Sequence, residues 1–172
     1  MIRVESGVSD DWDGATDWSA LADSAVRSAV LASRHARLAE CGITVEVSVR
    51  FGSDLDVKGL NAAYRGKDSP TNVLSFPMFE PALIGSLADA DGGEALLGDV
   101  ILAQGVCTAE ASKKGVKVCA HAAHLIVHGT LHLLGYDHET GNAEAEAMEE
   151  TERRALTALG VADPYPVTEV QS

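Results

Sequence analysis

Three histidines in the C-terminal half of the chain have the spacing of a metal site. His128 and His132 are four residues apart, and His138 follows six residues later. The residues from Ala120 to Val127 include no proline or glycine, so the sequence predicts one helix that continues through both histidines. Side chains four residues apart lie on the same face of a helix, so the two imidazoles can bind one ion.

The third histidine lies beyond the end of this helix. Gly135 is typical of a helix C-terminus, and a turn through Tyr136 and Asp137 can return His138 to the other two rings. Three imidazoles with one open position are typical of catalytic zinc, where water or substrate takes the fourth place. We therefore predict one Zn²⁺ per chain, although three imidazoles also suit nickel, copper or iron.

The same residues could instead form a stripe of structural histidines. His121 and His124 share a helical stripe with His128 and His132, and the rest of the helix is largely apolar. Such a helix is buried on most sides, and buried polar side chains need partners. This favours a metal site at the end of a buried central helix, where His124 either supports the ligands or lines the cleft.

Length and composition limit the class of protein. The chain has 172 residues, which fits a single domain over 1–172. Its formal net charge of −13 argues against a general nucleic-acid coat, since phosphate neutralisation needs Lys and Arg. Three cysteines without CxxC spacing indicate a reducing compartment, and no signal peptide or spanning apolar run is visible. We expect a soluble cytoplasmic protein with no membrane partner.

Hydrophobic periodicity predicts an α+β fold, with a small mixed sheet of about four strands covered by about five helices. The clearest strand is Thr44–Phe51, which alternates with a period of two. Further predicted strands are Ile2–Glu5, Thr71–Pro77 and Leu96–Leu102. Predicted helices cover Ala20–Glu40, about 54–64, Gln104–Lys114, a stretch from about Val118, and Asn142–Leu159.

Some segments are predicted to lie outside the core. Residues 78–95 contain Pro81, Gly85, Gly92 and Gly93, which indicates a long surface loop, and residues 167–172 are predicted to be a tail. The glutamates of the last helix are predicted to form a solvated face opposite an apolar stripe.

The site lacks the glutamate of HExxH metalloproteases, because Gly129 follows the first histidine. Without that general base a peptidase is less favoured, although zinc can itself lower the pKa of bound water to about 7. The substrate then needs an oxygen that the metal polarises and a cation to balance developing charge. Arg65 suits a phosphate, because a guanidinium binds it bidentately; the alternative is a solvated loop arginine.

Three blocks of sequence resemble the YbeY family of bacterial endoribonucleases. The blocks are Leu60–Pro77, with its Tyr64-Arg65 and Ser69–Pro77 motifs, Leu97–Ile101, and His124–His138, followed by Met148, Glu152 and Pro164-Tyr165. The resemblance covers the chain from about Leu55 to Tyr165, and its third block is the most specific.

The resemblance implies a metal-dependent endoribonuclease specific for single-stranded RNA, acting in ribosomal RNA maturation and ribosome quality control. Its zinc-binding histidines correspond to His128, His132 and His138, and its essential arginine corresponds to Arg65. Implied partners are ribosomal RNA and the small ribosomal subunit or its proteins. The chain has Asn72 where the family usually has Asp, and we expect this amide to brace the loop with little loss of activity.

The expected reaction is metal-assisted cleavage of a phosphodiester. Arg65 and His128 are the predicted catalytic residues, with Arg65 binding the scissile phosphate and stabilising its charge. Zinc-bound hydroxide, His124 or Asp137 could serve as general base, and we expect Asp137 to orient a ligand histidine. The nucleophile could be water or the 2′-hydroxyl of the RNA itself.

The acidic balance conflicts with RNA binding, so we expect a locally positive cleft. Arg65 and Lys67 are the predicted substrate-binding cations, with Lys113, Lys114 and Lys117 as further candidates, while a ribosomal protein could supply most of the affinity. Two alternatives remain at this stage: a zinc hydrolase acting on another substrate such as peptides, and a ribosome-assembly factor whose metal is mainly structural. The open fourth metal position favours catalysis.

Overall fold

The strand with the clearest alternation lies inside a four-stranded mixed sheet. In the computed structural model, which describes residues 1–165, the strands are β1 Ile2–Val8, β2 Thr44–Gly52, β3 Val73–Pro77 and β4 Glu94–Ala103. Their order is β1-β2-β4-β3. Strands β1, β2 and β4 are parallel, whereas β3 is antiparallel to β4 and forms an edge. The alternation reports real burial, since Val45, Val47, Val49 and Phe51 are all buried.

Helices cover both faces of this sheet. Within residues 1–165 they are α1 Trp18–Ala32, a 3-10 helix Ala36–Ala39, α2 Asp54–Arg65, α3 Pro81–Leu87, α4 Gln104–Lys114, α5 Val118–Leu133 and α6 Asn142–Ala158. Helices α1, α5 and α6 pack together over the main core. Helices α2 and α4 cover a smaller apolar cluster on the other face of β3 and β4. The predicted α+β fold with a small mixed sheet is confirmed.

Helix α5 is the buried central helix that the sequence predicts. Its buried residues include His121, His124 and the run Leu125–Val127. The helix approaches β4 closely at Gly129, where an added Cβ would lie 2.8 Å from Cγ1 of Val100. The same contact explains the missing HExxH glutamate, because a side chain at this position would collide with the sheet.

Helix α2 places Arg65 at the edge of the sheet. Its N-terminus is held by a capping box between Ser53 and Asp56. The Asp54 carboxylate also accepts hydrogen bonds from the backbone N–H groups of Gly105 and Val106, at 2.7 and 3.1 Å, which joins the start of α2 to the start of α4. The helix ends after Arg65, where Gly66 adopts a left-handed conformation (φ 69°).

The structure corrects several predicted boundaries. The first helix ends at Ala32 instead of Glu40, because Ser33 is extended and its hydroxyl donates to the carbonyl of Val30. The predicted loop 78–95 is wrong in two parts, since it contains α3, whose Ile84 is fully buried, and the beginning of β4. The predicted tail 167–172 lies outside the described residues. Among residues 1–165, no helix is long and apolar enough to cross a membrane.

Candidate active site

The end of α5 and the turn after it bring the three predicted histidines together. One ligand nitrogen from each of His128, His132 and His138 lies within 4.8 Å of the others. The turn is possible because Gly135 has a φ of 95°. It is held by the buried Tyr136, whose hydroxyl accepts a hydrogen bond of 2.9 Å from the backbone of Arg34. The third imidazole is therefore returned to the other two by a turn that is anchored in the core.

A buried carboxylate orients His128. Glu152 is only 1% exposed and accepts hydrogen bonds from His128 Nδ1 at 2.8 Å, His124 Nε2 at 2.9 Å and the hydroxyl of Tyr165 at 2.7 Å. Burial alone would raise the pKa of Glu152, but the hydrogen bonds from His124, His128 and Tyr165 outweigh burial and lower the pKa to about 2. The carboxylate is therefore ionised at neutral pH, and it requires a proton on His128 Nδ1.

His132 is oriented in the same way by a backbone carbonyl. Its Nδ1 donates to the oxygen of Tyr136 at 3.0 Å. Burial, together with the neighbouring His128 and His138, lowers the pKa of His132 to about 4. The ring is therefore neutral near pH 7, with its proton on Nδ1 and a lone pair on Nε2.

These hydrogen bonds leave two bare nitrogens facing each other. The Nε2 atoms of His128 and His132 are 3.1 Å apart, because the Nδ1 atom of each ring is already used by an oxygen acceptor. At this distance the two Nε2 atoms can share either one proton or one metal ion. Together with His138, the donor set therefore fits a metal ion, and neutral imidazole nitrogen is a ligand that zinc, copper, iron and nickel all accept.

The three histidines open into a cleft that also contains Arg65. The cleft has a volume of about 610 Å³. Its other wall includes Arg65, Asn72 and the β3 residues Val73, Ser75 and Pro77. Two carboxylates, Asp137 and Glu139, lie at the histidine side. A metal-binding group and an exposed guanidinium thus face one shared space.

Comparison with known proteins shows the family of this chain. The model of the family described as "Endoribonuclease YbeY" matches residues 15–160. The chain belongs to the YbeY endoribonuclease family. The curated YbeY endoribonuclease of Rhizorhabdus wittichii is 54% identical over 98% of this chain and 99% of its own length, and that of Sphingopyxis alaskensis is 50% identical over 96% and 98%.

A solved structure agrees with this fold. The solution structure of a Thermotoga maritima protein superposes with a TM-score of 0.54 at 22% identity, covering 96% of this chain and 99% of that one. At this identity the likeness concerns the fold alone.

The structure separates the predicted cations of the cleft. Arg65 lines the cleft, whereas Lys67, two residues further, does not. The candidates Lys113, Lys114 and Lys117 are likewise absent from the lining described within residues 1–165. Arg65 therefore supplies the cationic side chain in the described lining. It forms no ion pair with a carboxylate in the described part of the chain.

The two predicted supporting residues occupy different places. Asp137 lines the cleft, and one of its oxygens accepts from the backbone of Glu139 at 2.8 Å. Among residues 1–165 no hydrogen bond joins Asp137 to a histidine, so Glu152 and the Tyr136 carbonyl orient the rings instead. His124 is 8% exposed and does not line the cleft. It lies behind His128, as a further donor to Glu152.

Glu152 is the residue whose role the sequence analysis misses. It falls in the last helix, whose glutamates are predicted to be solvated, yet it is buried in the structure. A signal was present in the spacing, because Glu152 lies four residues after Met148 and four before Leu156, both buried. A carboxylate on the apolar stripe of a helix needs a buried partner, and His124 and His128 are such partners.

Asn72 braces the loop on the arginine side. Its amide nitrogen donates to Glu110 Oε1 at 3.1 Å, and its oxygen accepts from the backbone N–H of Val73 at 2.7 Å. Glu110 also accepts from the buried His121 at 2.8 Å. Burial of Glu110 opposes ionisation, but the hydrogen bonds from His121 and Asn72 lower the pKa of Glu110 below its usual value. The amide therefore has a structural role.

Proposed function

We propose that this chain is a metal-dependent endoribonuclease that cleaves single-stranded RNA in the cleft between Arg65 and the three histidines. The observation that carries the proposal is the pairing of bare imidazole nitrogens with an unpaired guanidinium in one open cleft, in a chain of the YbeY endoribonuclease family. We propose that it acts in the cytoplasm, in ribosomal RNA maturation and ribosome quality control.

His128, His132 and His138 are the proposed ligands of one Zn²⁺. A bound zinc ion supplies Lewis acidity, since it polarises a phosphoryl oxygen and lowers the pKa of a coordinated water. No fourth His, Cys, Asp or Glu joins this group in the part of the chain that is described. The open position supports a catalytic metal over a structural one.

Arg65 is proposed to bind the scissile phosphate. Its guanidinium is exposed, lines the cleft and has no competing carboxylate among residues 1–165. A guanidinium matches two phosphate oxygens with parallel hydrogen bonds and offsets the charge that grows during cleavage. Gly66 and the hydrogen bond from Asn61 Nδ2 to the carbonyl of Ser69, at 2.8 Å, fix the loop that follows it.

Glu152 and the Tyr136 carbonyl act as positioning groups. Each holds one ligand imidazole with its Nδ1 proton turned away from the cleft, so that Nε2 faces the ion. The general base is proposed to be Asp137, because it lines the cleft whereas His124 does not. Its second carboxylate oxygen accepts no hydrogen bond in the described structure.

The acidity of the chain shapes how RNA is recruited. With a formal charge of −13 and a single arginine in the described cleft lining, free RNA should bind weakly and with strong sensitivity to salt. We propose that a protein of the small ribosomal subunit supplies most of the affinity, and that Lys67 contributes from outside the cleft.

The peptide-hydrolase alternative loses support from Gly129. A glutamate in its place would meet Val100, so the general base of HExxH peptidases has no room on this helix.

Substitution of Arg65 tests the proposal. Arg65→Ala should lower kcat for single-stranded RNA by roughly 10²- to 10³-fold, the range for losing one group that stabilises developing charge. Zinc content and melting temperature should be unchanged, because the Arg65 side chain is exposed and takes part in no hydrogen bond or ion pair described within residues 1–165. Arg50→Ala, which removes an exposed arginine from β2, is the matched control. Full activity of Arg65→Ala would contradict the proposed role.

A second substrate separates the two nucleophiles. An RNA with a single 2′-deoxy nucleotide at the cleavage site cannot use its own hydroxyl. Loss of cleavage at that position alone would assign the attack to the 2′-hydroxyl, and retained cleavage would assign it to water.

A further inference from the structure

One aromatic side chain is exposed beside the cleft without an evident structural reason. Tyr64 is 72% exposed, and it is the single exposed Phe, Trp or Tyr side chain among residues 1–165. It lies in the last turn of α2, immediately before Arg65. The other described Phe, Trp and Tyr rings are buried or partly buried.

The Tyr64 ring is held but not covered. It packs against Phe76 with ring centroids 5.6 Å apart and planes at 68°. An edge contact of this kind restricts the ring while leaving most of its area in solvent. The contact ties the end of α2 to the edge strand β3, so the ring is fixed relative to the cleft.

The position of Phe76 connects Tyr64 to the cleft. Phe76 lies between Ser75 and Pro77, which both line the cleft from β3. Because successive side chains of a strand point to opposite faces, Tyr64 lies across the edge strand from the histidines. β3 has no strand on its outer side. A chain that leaves the cleft past Arg65 would therefore cross this edge and meet Tyr64.

We propose that Tyr64 is a stacking platform for one unpaired nucleobase of the RNA, next to the phosphate bound by Arg65. The inference rests on the proposed function and adds a base-binding subsite to it. Every nucleobase has an aromatic face, so stacking does not depend on sequence. A base inside a duplex already has both faces covered by its neighbours. The platform thus favours single-stranded RNA by shape, without reading bases.

The acidic residues of the cleft favour a stacking contact over a further charged contact with RNA. Asp137 and Glu139 line the same cleft on the histidine side, so electrostatic attraction of the cleft for the RNA backbone is weak. A stacked base adds binding that salt does not screen and that a carboxylate does not repel. Tyr64 therefore holds the strand while Arg65 holds the phosphate.

Binding of a fluorescein-labelled oligouridylate to the metal-free protein tests the platform independently of cleavage. Tyr64→Ala should weaken binding roughly tenfold, in the range for losing one stacked base. Tyr64→Phe and Tyr64→Trp should retain it, because they keep an aromatic face. Leu55→Ala, at an equally exposed apolar position of the same helix, is the matched control and should change nothing. A blunt RNA duplex should bind equally to wild type and Tyr64→Ala.

An abasic scan adds a coupling test. A series of RNAs carries a single abasic nucleotide at each position in turn. The affinity of wild type should fall roughly tenfold, as for Tyr64→Ala, at one position only. The abasic RNA with its gap at that position should bind Tyr64→Ala as tightly as the intact RNA does. Oligouridylate binding equal for wild type and Tyr64→Ala, at unchanged melting temperature, would overturn the inference. Binding that depends on Tyr64 without any RNA cleavage by wild type would instead reject the proposed function and leave the subsite standing.

Discussion

The two walls of the cleft are held in different ways. The histidine wall, formed by His128, His132 and His138, is backed by the buried Glu152, and the first two rings each donate to a fixed oxygen. The arginine wall carries Arg65 at the end of a helix, exposed and without an ion pair in the described structure. The proposed metal site benefits from ligands that are fixed before the ion arrives, whereas the proposed phosphate-binding arginine must stay unpaired until substrate enters.

This contrast predicts that substitutions in the two walls have separate consequences. Changes behind the histidine wall should reduce stability and metal affinity together. Substitution of Arg65 itself should affect RNA and leave both of those unchanged.

Glu152→Ala should have the largest effect. It removes the acceptor of three hydrogen bonds from a site that is almost wholly buried. We expect destabilisation of about 3–5 kcal/mol, as for breaking a buried charged pair, and zinc affinity reduced by about 10- to 100-fold. Urea unfolding and zinc titration measure the two effects. Glu146→Ala, at an exposed position of the same helix, is the control. Unchanged zinc affinity in folded Glu152→Ala would refute the positioning role.

Gly129→Ala should be the next largest. The added methyl group would lie 2.8 Å from Val100 Cγ1, so α5 must shift away from β4. Overpacking of this kind costs about 1–3 kcal/mol. The double variant Gly129→Ala with Val100→Ala should recover part of the loss by making room. If the double variant is no more stable than the sum of the two single changes predicts, the close approach is not the cause.

Acidification should destabilise the metal-free protein. The pKa of His132 is lowered from 6.5 to about 4 by burial and by the neighbouring His128 and His138, and burial also lowers the pKa of His121 and His35. Below pH 6.5 the unfolded chain takes up protons that the folded chain does not, so stability is present above 6.5 and falls towards pH 4. Urea midpoints across this window measure the effect. Constant or rising stability on acidification would count against neutral buried imidazoles.

Asn72→Asp should have the smallest effect. A carboxylate at this position cannot donate to Glu110 and adds a like charge 3.1 Å from it. We expect a loss of about 1 kcal/mol, typical of one hydrogen bond, with RNA cleavage retained. Adding Glu110→Gln should restore stability, because the new amide can donate to Asp at position 72. Abolished cleavage in folded Asn72→Asp would show that the amide does more than brace the loop.

How far each wall could be predicted depends on whether local sequence or tertiary contacts bring its residues together. The spacing of His128, His132 and Gly135 is local, so helix geometry alone brings two rings together and allows a turn. Helix Gln104–Lys114 and the strand from Thr44 are predicted nearly to the residue for the same reason. The relative positions of the histidines on their wall are thus determined by a short stretch of sequence.

The parts that could not be predicted depend on tertiary contacts. Helix α3 is short and keeps its place through Ile84, which only docking buries. The first helix ends early because Ser33 bonds its own backbone. Glu152 is buried by a helix distant in sequence, although its place on an apolar stripe gave a clue. The meeting of Arg65 with the histidines also needs the fold, because β3, α3, β4 and α4 lie between them in the chain.

Zinc content and RNA cleavage measured on one preparation test the central claim most directly, with wild type compared with His128→Ala. The account predicts about one zinc per wild-type chain, as for a site with one set of three ligands, and cleavage of single-stranded RNA. It predicts that His128→Ala loses both together, while His35→Ala, a histidine outside the cleft, keeps both. Undiminished cleavage by a zinc-free His128→Ala protein, or stoichiometric zinc in a wild type that cleaves no RNA, would contradict it.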